Sequence, residues 1–135
     1  MAKMAFRLED FLEILISNGL LPRQIVRARV KGEKIHFILR TNSLILPFIP
    51  ASLRYLSFEN NNAIFELAIA SGRLNKAIAW LNEAYKPKIP EYMKLDYPNI
   101  YIDIDKLLKE KNIRGVRVEE IFFENGELTI VTGNN

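Results

Sequence analysis

The stretch Arg23-Gln24-Ile25-Val26-Arg27-Ala28-Arg29-Val30-Lys31-Gly32-Glu33-Lys34-Ile35-His36-Phe37-Ile38-Leu39-Arg40 decides how this chain is read. Two runs of alternating polar and apolar residues flank Gly32-Glu33, and glycine at the first of two central positions is what a type II′ hairpin turn requires. Folding back there sets Lys31 opposite Lys34, Val30 opposite Ile35, Arg29 opposite His36, Ala28 opposite Phe37, Arg27 opposite Ile38 and Val26 opposite Leu39. Successive side chains of a strand point to opposite faces, so the hairpin sorts itself in two. Val26, Ala28, Val30, Ile35, Phe37 and Leu39 form an apolar face. Arg27, Arg29, Lys31, Lys34, His36 and Arg40, with Ile38 among them, form a basic one. A slip of one residue would bury arginines, so the pattern selects its own register. Like charges directly opposed cost a few tenths of a kcal/mol, and an acidic counterpart is therefore expected nearby.

On the N-terminal side, Leu8, Phe11, Leu12 and Leu15 recur at helical spacing, with Glu9 and Asp10 in the first turn, where they suit the helix dipole, and Gly19 as a stop. This predicts a helix of about three turns. On the C-terminal side, Leu44-Ile45-Leu46-Pro47-Phe48-Ile49 is bracketed by Pro47 and Pro50, which argue against a central strand or an unbroken helix. An apolar loop or short helical turn is expected there, capping the core if covered and forming a contact patch if exposed.

Leu53 to Glu59 and Ala63 to Ala70 read as a second hairpin across Asn60-Asn61-Asn62, since asparagine tolerates positive φ. Ser71 then caps a central helix over about 72–85, with Leu74, Ala77, Ile78, Leu81 and Ala84 on its buried stripe and Trp80 beside it. A strand over Asn99 to Ile104 precedes a short helix over about 106–111 capped by Asp105. The last hairpin joins Val116–Phe123 to Glu127–Thr132 through Asn125-Gly126, a type I′ signal. Ile121-Phe122-Phe123 breaks alternation, which predicts a bulge near Glu119-Glu120 or a strand covered on both sides. The sum is an α+β fold, mainly an antiparallel sheet of about six or seven strands in hairpins, in one domain over residues 1–135.

Composition fits this reading. At 135 residues, 49% hydrophobic and 26% charged, the chain is long enough to bury a core and unlike a disordered segment. The absence of cysteine excludes disulfides, thiolate metal sites and a cysteine nucleophile, and suits a reducing compartment, so a cytoplasmic location is expected. Acidic residues interrupt the N-terminal apolar stretch, unlike a signal peptide, and no run approaches the roughly 20 apolar residues of a membrane span. The net charge of +3 is unevenly spread: residues 1–54 carry nine Lys/Arg against four Asp/Glu (+5), residues 55–135 ten against twelve (−2).

Catalysis finds no support in motifs. There is no glycine-rich phosphate loop, nucleophile elbow or zinc-protease helix, and no cofactor or metal signature. The single histidine, His36, excludes a multi-histidine metal site. Asp103-Ile104-Asp105 superficially resembles a paired-acid, cation-holding motif, but Asp105 has the better role as a helix cap. The candidate site is thus the basic face of Arg27, Arg29, Lys31, Lys34, His36 and Arg40, expected to meet an anionic partner: nucleic acid, acidic protein or anionic headgroups. Self-association, with the basic face on the acidic C-terminal half of a second copy, is the alternative, and enclosure of an apolar ligand or lipid a third. Glu119, Glu120, Glu124 and Glu127 are acidic hairpin positions that fit either of two roles, balancing the basic face within the domain or across a dimer, or serving as solvated hairpin ends.

Overall fold

The structure is a computed structural model, and it describes residues 2–17, 19, 21, 23–40, 44, 47–69 and 91–134. Among these the order is β1 (Ala2–Arg7), α1 (Leu8–Ser17), β2 (Ile25–Lys31), β3 (Lys34–Arg40), β4 (Phe48–Glu59), β5 (Asn62–Ile69), β6 (Met93–Asp96), β7 (Asn99–Asp103), α2 (Ile104–Glu110), β8 (Val116–Glu124) and β9 (Glu127–Asn134). The fold is α+β and dominated by antiparallel sheet, as the alternation predicts. The expected central helix over 72–85, with Ser71 and Trp80, lies outside the described residues.

Two sheets result. One has six strands in the order β2-β3-β4-β5-β7-β6, the other three in the order β1-β9-β8. The three expected hairpins all form. Gly32 takes φ 66° while Glu33 stays out of the left-handed region, the combination a type II′ turn uses. Asn60-Asn61 and Asn125-Gly126 each carry two positive φ values, as type I′ requires.

β1 and β6 are strands that the sequence does not announce. Five of the six β1 residues are exposed, so it lacks the half-buried alternation that betrays a strand. It exists because Ala2 to Arg7 pair with Thr132 to Glu127, at the far end of the chain. β6 is only four residues long and pairs with β7.

Two further expectations are corrected. Pro50 lies inside β4, opposite Ile38, and not in a loop. Arg40 donates its N–H to the Gln24 carbonyl at 2.7 Å, on the β2 side. Bonding direction alternates along a strand, so Ile38 also turns its N–H and C=O toward β2, and its carbonyl asks no donor of proline. The apolar loop is therefore shorter than expected: Ile49 is 2% exposed and in the core, whereas Leu44 is 99% exposed. The second correction concerns α2, which starts earlier than predicted. Its cap is Asp103, whose carboxylate accepts the Lys106 N–H at 3.1 Å, and Asp105 stands exposed in the first turn.

The apolar side of the large sheet carries the core. Phe37, Leu39, Ile49, Ala51, Leu67 and Ile69 form one buried cluster. Ala63, Ile104, Ile121 and Leu128 form a second, which joins the two sheets and gathers Tyr55, Phe65, Ile102 and Phe123. Leu8 and Leu12 of α1 close on Ile35 in a third. One polar contact ties the sheets together: the Tyr55 hydroxyl donates to the Ile121 carbonyl. The Tyr55 ring meets Phe65 edge to face, at 5.5 Å between centroids and 73° between planes. Burial, with a smaller contribution from the charge of Glu120, pushes the Tyr55 phenol up from its ordinary value.

Candidate anion-binding face

With α1 and the small sheet both on the apolar side, the opposite side of β2-β3-β4 carries the charged residues, with apolar ones and the buried Ser52 among them. Register defines it row by row, since directly paired residues of antiparallel strands share a face. Lys31, Lys34, Arg54 and Glu66 lie in one transverse row, and Arg29, His36, Ser52 and Ala68 in the next. Beyond them come Val26, Ile38 and Pro50, and then Arg40 opposite Phe48. Rows are about 6–7 Å apart along the strands and neighbouring strands about 4.8 Å apart, so Arg29, Lys31, Lys34 and Arg54 form a compact field and Arg40 stands three rows from Lys34 along β3.

The predicted register holds from Lys31↔Lys34 through Arg29↔His36 and then breaks. Between Val26 and Arg29 the pairing shifts, so that Val26 faces Ile38 and Ile25 faces Leu39. Val26 therefore moves from the apolar face to the polar one, and Ile25 takes its place against the Phe37 cluster. The extra residue is absorbed at Arg27, which adopts φ 54°, a left-handed conformation uncommon for a side chain of this size. Arg27 leaves the row that alternation predicts for it and lines a groove with Ile16, Leu21 and Arg23 at the edge of the sheet. A bulge cannot be read from this stretch, because the alternation of Val26 to Lys31 is unbroken.

Of the six expected residues, Arg29, Lys31, Lys34, His36 and Arg40 thus share one face and Arg27 does not. Arg29, Lys31 and Arg40 are exposed, and Lys34 and His36 half-buried. Among the described residues, three ion pairs occur, Arg7–Asp10, Arg54–Glu66 and Arg117–Glu119, and none involves these side chains. The expected acidic counterpart is therefore only partial. Glu66 sits at 3.1 Å from Arg54. Glu119, Glu120, Glu124 and Glu127 belong to the small sheet, on the other side of the molecule, and Glu119 is held by Arg117 at 2.9 Å.

Arg54 and Ser52 also belong to the face, although the sequence reading passes over them. The signal is there: Ala51, Ser52, Leu53 and Arg54 alternate apolar with polar. It goes unread when the strand is started at Leu53 on account of Pro50. The same row continues across β5 to β7 and β6, from Glu66 to Asn99 to Asp96, so its far end is acidic.

Among the described residues no group of three or more His, Asp or Glu side chains is disposed to hold a metal ion, and no helix is long and apolar enough to cross a membrane. Comparison with protein-family models, curated proteins and solved structures finds no match to this chain.

Proposed function

We propose that the outer face of β2-β3-β4 is a non-catalytic docking surface for an anionic macromolecule, nucleic acid in the first instance. The observation that carries this reading is a set of four cations, Arg29, Lys31, Lys34 and Arg40, on one sheet face without a carboxylate partner among the described residues. Opposing Lys31 and Lys34 is unfavourable in the free protein and becomes favourable once an anion lies over both. Duplex nucleic acid, with one negative charge per about 1.7 Å of axis, offers such density more readily than an acidic peptide. Half-buried His36 and the exposed Arg40 beside Phe48 extend the face along β3.

The test is retention on heparin and on duplex DNA at low ionic strength. We expect binding that weakens with salt. The slope of log affinity against log salt should become shallower by about 0.7–0.9 for each phosphate that Lys31→Glu, Lys34→Glu or Arg40→Glu no longer neutralises. Arg117→Glu, on the small sheet, is the control and should retain the parent slope. Binding to acidic peptides or anionic vesicles but not to DNA would reassign the partner. No retention at low salt would end the proposal.

A second reading has one specific observation behind it: the row that begins with Lys31, Lys34 and Arg54 ends with Glu66 and Asp96 on the same face. Two copies related by a twofold axis can set the basic end of one against the acidic end of the other. Sedimentation showing a dimer that dissociates as salt rises supports this. A monomer at low salt and micromolar concentration removes it.

A further inference from the structure

We infer that the groove between the end of α1 and the bulged edge of β2 is a binding site for a single-tailed anionic amphiphile, with Arg27 and Arg23 at the headgroup. The groove has a volume of about 340 Å³, within the range of roughly 300–1,000 Å³ typical of small-molecule sites. Its lining is of two kinds. Ile16, Leu21, Ile25 and Ala28 are apolar, and Arg23 and Arg27 are the charged residues. Ile16 keeps 49% of its surface open, so apolar area is left available to an alkyl chain. Both arginines are exposed, and neither takes part in an ion pair among the described residues.

The second observation is the backbone of Arg27. Its φ of 54° is a conformation that glycine adopts freely and arginine at a cost. Bulges re-aim side chains, and this one carries a guanidinium out of the basic row and to the groove. Glycine would serve the bulge better, so the arginine is there for its side chain. The end of α1 argues for the orientation: the negative end of its dipole disfavours an anion, and the Ile16 carbonyl there accepts the Gly19 N–H at 3.1 Å. The headgroup therefore belongs on the β2 side with the arginines, and the tail against Ile16 and Leu21. A carboxylate matches the guanidinium fork; acetate supplies the head alone and an alcohol the tail alone.

Titration calorimetry with submicellar decanoate, decanol and acetate tests the site. We expect decanoate to bind at least about tenfold more tightly than either decanol or acetate, as a charge-assisted bond to arginine implies. Arg27→Gly should abolish that advantage while the melting temperature stays level or rises, because glycine relieves the backbone, which separates a binding defect from a folding defect. Ile16→Gln should weaken decanoate severalfold and leave heparin retention as it was, so this site can fail or stand independently of the basic face. Decanol binding as tightly as decanoate, acetate binding as tightly as decanoate, or an undiminished decanoate affinity in Arg27→Gly would each overturn the inference.

Discussion

The β2-β3 and β8-β9 hairpins are built to one plan and resolve their charges in opposite ways. Each turns on two residues, Gly32-Glu33 and Asn125-Gly126, and each has one register shift in its first strand, between Val26 and Arg29 and between Val118 and Glu120. Each sets an apolar face against the core. In β8 the one cation is answered: Arg117 meets Glu119 at 2.9 Å. Within strands β2 and β3 the charges are of one sign, and Glu66, in the same row as Lys31 and Lys34, serves Arg54. Glu120, Glu124 and Glu127 remain outside the Arg117–Glu119 pair, with Glu124 directly opposite Glu127, so β8-β9 is left acidic where β2-β3 is basic. The basic hairpin, whose one carboxylate is Glu33 in the turn, holds four cations on one face outside any ion pair among the described residues, and these suit an anionic partner as the acidic small sheet does not.

If the two hairpins are equal structural members and differ only in charge, truncating their core anchors should cost alike. Phe37 and Leu128 are 5% and 3% exposed. Phe37→Ala should destabilise by about 3–5 kcal/mol and Leu128→Ala by about 2–5 kcal/mol, measured by denaturant unfolding. A cost near zero for Phe37→Ala alone would mean that β2-β3 is an appendage, and the comparison would break.

The joint between the regions gives a smaller effect. Tyr55, on β4, donates to Ile121, on β8, so Tyr55→Phe should cost about 1–2 kcal/mol by leaving a carbonyl short of its partner. The phenol is pushed up by burial, which sets a sign. Folding favours the protonated form, so this contribution is complete below the ordinary phenol value of about 10 and is lost as pH rises above it. Stability of the parent should therefore fall more steeply above pH about 10 than that of Tyr55→Phe. Parallel curves would show that Tyr55 does not carry the alkaline loss.

The smallest effects sharpen the charge contrast itself. Arg117→Ala removes an attraction between partly exposed groups and should cost a few tenths of a kcal/mol at most. Lys34→Ala removes a repulsion with Lys31 and should be neutral or stabilising by a similar amount. Both shifts should shrink in high salt. Equal and like-signed shifts would mean that the cations of β2-β3 are compensated after all.

The three turns, the apolar face of each hairpin and the bulge at Glu119 are legible in the sequence because each depends on residues within a few positions: glycine or asparagine where φ is positive, and period-two alternation on either side. Local pattern also brings Arg29, Lys31, Lys34, His36 and Arg40 to one face. It misleads at Pro50, where a rule about proline in strands overlooks that the carbonyl of its partner Ile38 points the other way. It also misleads at Asp105, two residues beyond the true cap at Asp103.

What the sequence by itself determined is the antiparallel hairpin grammar of the protein and the cationic character of one strand pair. Only the tertiary structure decided the pairing of β1 with β9, the row from Lys31 to Asp96, and the departure of Arg27 into the groove. Those depend on pairing between residues far apart in the chain, or on a bulge whose backbone conformation Arg27 does not advertise, and no local pattern encodes either.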